Sequence, residues 1–287
     1  RTLCDSVLSG CVAVAAGFGA LQCGLLEECL AWIKQALRWC DTPGTCPTLV
    51  ARTKYLNVGL AYGQRKWKDV ALGLPELRNA AAQDGLGDLA AKVRFVEALT
   101  LKEQLRDTEA ELLLRGLKVD PYVLKDPSVH ALVFLSLAEL EDKKGEHEAA
   151  DRLVNEVGSL INSNEAGFSA AHLHNIRGSL LRERGDLDGA CEAFLTAAEM
   201  YAKVEMAAWS AYSRVVLADT LMAAGREREA RSQILIVLPV IEKRALVQEA
   251  VAAVALLRES LRRQSADPRA LRVLREQLDR MRREGRS

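Results

Sequence analysis

The 287-residue chain balances 39 lysines and arginines against 39 acids, so no net field draws it to nucleic acid or to a membrane surface. Apolar residues reach 49% while aromatics stay at 5%, with alanine and leucine dominant and only seven prolines, which fits a continuous helical core and argues against a β-sandwich. The chain opens on Arg1 rather than Met and shows no basic region followed by a cleavage site, so a fragment of a longer cytoplasmic protein is expected rather than a secreted one.

Six of the seven cysteines lie within the first 46 residues, separated by six, eleven, five, ten and five residues, with no Cys-x-x-Cys pair. Reduced thiols packed inside helices are expected, and a zinc site from Cys23, Cys29, Cys40 and Cys46 is the alternative. Residues 6 to 26 carry no charge, which raises a membrane span. Against it, Gly10, Gly17, Gly19 and Gly24 dilute the run, and it passes directly into Glu27-Glu28 and the amphipathic stretch Leu25 to Trp39. A buried helix is the preferred reading, and residues 1–46 are expected to form an atypical hairpin that caps the remainder of the chain.

From Pro47 onward the chain repeats with a fixed offset of 40 residues. Gly145-Glu146-His147-Glu148-Ala149-Ala150 returns as Gly185-Asp186-Leu187-Asp188-Gly189-Ala190 and as Gly225-Arg226-Glu227-Arg228-Glu229-Ala230. The same offset reaches Val70, Ala110 and Ala270, and twelve residues before the anchors stand Val58, Ala98, Ala138, Gly178 and Ala218, with Arg258 as the exception. Each unit reads as an apolar-periodic run, a short polar turn and a second apolar-periodic run, hence a helical hairpin whose small residues let the two helices approach. One hairpin cannot bury its own apolar face, so neighbours must stack.

Within the units, Pro75 should kink or shift the helix Trp67 to Asp84, and the second unit runs through Lys92 to Gln104 and Asp107 to Lys118. Asp126 and Pro127 suit an N-cap and first turn for the third unit, whose first helix, Ala131 to Ala138, is apolar all round and therefore buried. Asn162 to Gly167 reads as a loop, Pro239 should bend the fifth unit's second helix, and Asp267-Pro268 opens a last helix striped by Leu271, Leu274, Leu278 and Met281.

Ala171 to Ala190, with Gly178, Leu181, Gly185-Asp186 and Ala190, then Phe194 and Ala197, resembles a tetratricopeptide repeat, and Ala218, Leu221, Gly225 and Ala230 fit the next copy. The resemblance covers residues 51 to 287 and departs twice: the period is 40 rather than the usual 34, and the fourth position holds Lys54, Arg94, Phe134, His174 and Arg214 where an aromatic belongs. Long repeats of this kind resemble those of bacterial regulatory proteins, where the solenoid senses a partner for another domain. The resemblance implies an all-α right-handed superhelix of stacked antiparallel helix pairs, with five hairpins over residues 47–250 and a last repeat, 251–287, as C-terminal cap.

No chemistry-bearing motif stands out. His172 and His174 lie two apart on a helix and point away from each other, Gly17-Phe18-Gly19 follows no strand, and no phosphate loop, nucleophile elbow or metalloprotease motif occurs. Catalytic residues, cofactors and metals are therefore not expected. The tail from Arg258 to Arg286 holds ten arginines and five acids, but they are spread around the helix and read as a solvated cap rather than a nucleic-acid grip.

In tetratricopeptide solenoids the first helix of each pair lines the concave groove, which places Arg52, Tyr55, Lys92, Phe95, Leu132, His172, Asn175, Arg182, Tyr212 and Asp219 there as peptide- or protein-binding candidates. Phe95, Leu132 and Leu135 would take an apolar anchor, and the groove side chains should point away from the inter-helix core. The expected function is binding a protein segment, as the regulatory or scaffold part of a larger protein. The alternative is a sensor that changes curvature on binding a peptide or ligand and signals to an attached effector domain.

Overall fold

The computed structural model describes residues 3–22, 26–40, 46–64, 66–82, 85–161, 167–204 and 206–242. Thirteen α-helices and no strand occur among the described residues: α1 (Leu3–Gln22), α2 (Leu26–Cys40), α3 (Pro47–Gly63), α4 (Trp67–Ala81), α5 (Gly87–Glu103), α6 (Asp107–Lys118), α7 (Pro121–Leu124), α8 (Pro127–Lys143), α9 (His147–Leu160), α10 (Phe168–Glu183), α11 (Leu187–Lys203), α12 (Ala207–Ala223) and α13 (Glu227–Glu242). The C-terminal cap expected at 251–287 and its arginine-rich face lie outside the described residues, as does most of the loop expected at 162–167.

The hairpin turns share one backbone design. The N–H of Lys66, Arg106, Glu146, Asp186 and Arg226 donates back to the carbonyl of Ala61, Leu101, Glu141, Leu181 and Leu221, at 2.8–3.0 Å, each pair 40 residues after the last. This six-to-one closure needs a left-handed residue just before the donor. Gly145, Gly185 and Gly225 supply it with φ of 84°, 85° and 74°, and Leu105 adopts it at φ 60° without being a glycine. The second helices then open on acids, such as Asp69, Asp107, Glu148, Asp188 and Glu227, which sit favourably at the positive end of the helix dipole. At α11 the Asp186 carboxylate also accepts from the Gly189 N–H at 3.0 Å.

The described residues form two compact units, one reaching Leu140 and one starting at Glu141. In the first, α1 packs on α2 and α3, α3 on α4 and α5, and α5 on α6. The glycines of the uncharged run explain its packing: a Cβ on Gly10 or Gly17 would stand 2.5 or 2.4 Å from Leu49 or Leu56, so α1 lies directly on α3. No helix among the described residues is long and apolar enough to cross a membrane. The all-apolar run of α8 is enclosed, with Ala131, Val133, Leu135 and Ala138 fully buried. Pro75 lies inside α4 on an exposed position, and α4 ends at Ala81 rather than Asp84. The stretch from Pro121 to Leu124 forms the one-turn helix α7. The Asp120 carboxylate caps it at Tyr122 N (2.8 Å), and α7 rests on α5 and α6.

In the second unit α10 packs on α9 and α11, and α12 on α11 and α13. The repeat register appears directly in burial. Val70, Ala110, Ala150, Ala190 and Ala230 are all 0% exposed, and twelve positions earlier Val58, Ala98, Ala138, Gly178 and Ala218 are buried. At Gly178 a Cβ would fall 2.9 Å from the Phe194 ring, which fixes the close crossing of α10 and α11.

Urea-denaturation midpoints test both the turns and the crossings. Leu105 is exposed and holds a conformation that costs a side-chain-bearing residue roughly 1–2 kcal/mol, so Leu105→Gly should raise stability by about 1 kcal/mol, whereas Gly185→Ala should lower it by a similar amount. Ala190→Leu should overpack the core formed with Phe194, Ala218 and Ala230 and destabilise by roughly 1–3 kcal/mol.

Candidate functional site

The first helices of successive hairpins carry the residues singled out as binding candidates. In the first unit, Arg52 on α3 reaches the Asp88 carboxylate of α5 at 3.0 Å, and Lys92 on α5 reaches Asp126 at 3.1 Å. Lys102 pairs with Glu139 of α8. Asp126 is also the N-cap of α8, accepting from Val129 N at 3.2 Å. Burial pushes its carboxyl up, but Lys92 and the cap hydrogen bonds hold it below the usual range. Tyr55 is half-buried against Phe18, ring centroids 5.5 Å apart, and burial, then the Asp126 charge, push its phenol up to about 12. Phe95 is buried, Leu132 half-buried and Leu135 fully buried.

In the second unit Arg182 on α10 pairs with Asp219 on α12 at 2.5 Å, with both side chains about four-fifths covered. Asn175 is buried, and its carbonyl oxygen accepts from the Ser213 hydroxyl at 3.0 Å. The expectation that these side chains point away from the inter-helix core is therefore corrected at Asn175 and Phe95, and for the anchor residue Leu135. Within each unit a cation on one first helix finds an acid about one repeat later, Arg52 with Asp88 and Lys92 with Asp126 in the first unit and Arg182 with Asp219 in the second.

One group does stand open. Phe168, His172, Tyr201, Trp209 and Tyr212 converge from α10, α11 and α12. His172 stacks on Phe168 (5.6 Å, 11°), Trp209 meets Phe168 edge-on (5.4 Å, 79°) and stacks near Tyr201 (5.8 Å, 28°), and Tyr212 meets Trp209 edge-on at 6.5 Å. Tyr201 is the buried floor: its hydroxyl lies 3.3 Å from His172 Nδ1, and burial, then the neighbouring Tyr212, push its phenol far up. Phe168, His172 and Tyr212 are half-buried and Trp209 is 37% exposed. Sequence reasoning named His172 and Tyr212 but missed Phe168, Tyr201 and Trp209, whose positions do not follow the 40-residue register.

A second polar cluster is structural. Asp142, at the end of α8, is 2% exposed at its side chain and takes His147 Nδ1 at 2.7 Å and Arg184 at 3.0 Å. Arg184 also forks onto Asp151 with two 2.8 Å bonds and reaches the His147 carbonyl at 3.3 Å, tying α8 and α9 to the end of α10. Burial raises the Asp142 carboxyl, but hydrogen bonds with His147, Glu183 and Arg184 bring it below the ordinary aspartate value.

Cys11, Cys29, Cys40, Cys46 and Cys191 are free thiols, and burial raises Cys29 to about 11. Cys40 donates weakly to Thr53 Oγ1 at 3.5 Å, whereas hydrogen bonds from the Thr48 side chain and backbone lower Cys46. No trio of His, Cys, Asp or Glu among the described residues is arranged to hold a metal ion, and Cys23 of the zinc alternative lies outside them. No protein-family model matches the sequence, and no curated protein matches it either.

The Asp142 cluster generates a stability prediction. Removing one partner of a buried pair strands the other, so Asp142→Ala should cost about 3 kcal/mol at pH 7 by urea denaturation. The folded-state carboxyl is lowered, so its contribution is complete above the free-aspartate value near about 4 and is lost as pH falls through the folded value. The stability difference between the wild type and Asp142→Asn should therefore shrink between roughly pH 5 and pH 2.

Proposed function

We propose that the chain is a tetratricopeptide-like solenoid that holds a segment of a partner protein against the open aromatic face of its second unit. The observation that supports this most is the cluster of Phe168, His172, Trp209 and Tyr212, part-exposed on the first helices α10 and α12, where the other large apolar side chains are mostly buried. Aromatic side chains that present a large apolar face and a polar tip concentrate binding energy in protein interfaces. Tyr201 and the Asn175–Ser213 hydrogen bond hold the floor in place, so little ordering cost falls on the binding face itself. The Arg182–Asp219 pair borders the same helices and offers one group of each sign to backbone or side-chain partners.

In this reading the 40-residue hairpins stack as a right-handed superhelix whose first helices form the concave side, and the chain serves as the recognition part of a bacterial, cytoplasmic regulatory protein. Binding involves no catalytic step and no cofactor. The charged residues of the first-helix row, Arg52, Lys92, Arg182 and Asp219, chiefly hold neighbouring hairpins in register.

The test is selection of peptides from a displayed random library on the full chain, followed by fluorescence anisotropy with the enriched sequences. Trp209→Ala and Tyr212→Ala should each weaken binding by about 2 kcal/mol, roughly 30-fold, with the circular dichroism spectrum retained. Enriched peptides that bind both variants as tightly as the wild type would remove the aromatic face from the model.

A further inference from the structure

The fourth position of the repeat holds Lys54, Arg94, Phe134, His174 and Arg214, and the structure shows what four of them do. Lys54 pairs with Glu76 on the second helix of its hairpin at 3.1 Å, and Arg94 with Asp120 just beyond α6. Phe134 carries the Lys118 ammonium 4.5 Å from its ring centroid, and Arg214 donates to the Gln233 amide oxygen at 2.6 Å. Each is thus engaged by a residue on or just after a second helix. His174 is the exception, with no hydrogen-bond or ion-pair partner among the described residues. On α11 the positions matching Glu76, Asp120 and Gln233 by whole repeats are Thr196, Met200 and Ala193, none of them acidic.

What stands there instead is an open trough of about 760 Å³ between α9, α10 and α11. Arg177 and His174 line it from α10, Lys203 from α11 and Asn155 from α9, with Leu173 and Met200 as apolar floor; among the described residues no acidic side chain lines it. Arg177 and Lys203 form no ion pair among the described residues, unlike Arg52, Lys92, Lys102, Arg182 and Arg184, which are all neutralised. The helices run antiparallel, with Gly178 against Phe194 and Ala171 packed with Ala197 and Tyr201. Arg177 therefore stands near the Thr196 end of the trough and Lys203 at the other. Seven residues of α11 separate Thr196 from Lys203, about 10 Å of helix, the length of roughly three extended residues. Burial, then the Arg177 charge, lower the pKa of His174, which leaves a neutral imidazole between two cations.

We propose that this trough binds an acidic peptide segment, its carboxylates on Arg177 and Lys203 and an apolar side chain between them on Leu173 and Met200. The charge is complementary, the guanidinium can take a carboxylate with two hydrogen bonds, and an open channel suits an extended chain better than an enclosed small molecule. His172 and His174 lie on opposite sides of α10, so the site uses residues distinct from the aromatic face and stands whether or not that face binds a partner.

The probe is fluorescein-labelled Glu-Glu-Leu-Glu-Glu-Leu, titrated with the full chain at low salt and followed by anisotropy. The expected result is saturable binding that weakens with added salt, falls at least about 10-fold in Arg177→Glu/Lys203→Glu, and is unchanged in Lys68→Glu, an exposed lysine of the first unit. Arg177→Gln/Lys203→Gln, which introduces no repulsion, should lose binding too, and thermal melts check that each variant folds. The proposal is overturned by any of three results: binding that survives both double variants, equal binding of the neutral peptide Gln-Gln-Leu-Gln-Gln-Leu, or displacement of the probe by inorganic phosphate where chloride of equal ionic strength has no effect. The last would make the trough a phosphate site.

Discussion

The six-to-one turn that closes each hairpin governs much of the rest. It ends the first helix, passes through one left-handed residue and starts the second helix at once, leaving no slack between the two. Two helices joined so tightly must touch within the next turn, and the point of contact holds alanine in four hairpins and Val70 in the first. Ala110, Ala150, Ala190 and Ala230 stand four residues after their turn donors and are wholly buried. The connections between hairpins are more varied, although that from α11 to α12 closes with the same six-to-one bond, Met206 N–H to the Tyr201 carbonyl at 2.9 Å. One of them accommodates the extra helix α7 with its own Asp120 cap, and others differ in length.

This constraint is also what made the fold legible. A left-handed backbone selects glycine, and a close crossing selects alanine or glycine, so both write themselves into the sequence at a fixed interval. The signal fades where the backbone tolerates a substitute: Leu105 occupies the same conformation as Gly145, Gly185 and Gly225, and the early repeats look degenerate although the turn at Leu101–Arg106 is built identically. The uncharged first run was legible too, because Gly10 and Gly17 mark where Leu49 and Leu56 press against α1.

The site was far less legible, because the identity of a side chain does not reveal its partner. Arg52 and Arg177 both sit half-buried on first helices, yet one meets Asp88 and the other meets no acid among the described residues. Helical periodicity placed Asn175 on the inner face, but Ser213 of the next first helix turned it into a buried hydrogen-bonded strut. The aromatic face comes from three helices, and only His172 and Tyr212 share the 40-residue register, so no period could announce Trp209 beside Phe168.

The distribution of neutralised and open cations in the second unit arises from desolvation. Arg184 is nearly four-fifths covered, and a guanidinium held there without counter-charge would be costly, so it is met by both Asp142 and Asp151. Arg177 and Lys203 line an open trough, where water screens their charges and no internal acid is required for the unit to fold. Among the described residues no internal carboxylate claims these two cations. At the first-helix face the opposite holds, because an incoming carboxylate must compete with Asp88, Asp126 or Asp219. The charged first-helix residues that looked most available for binding are thus the ones whose charges the fold already uses.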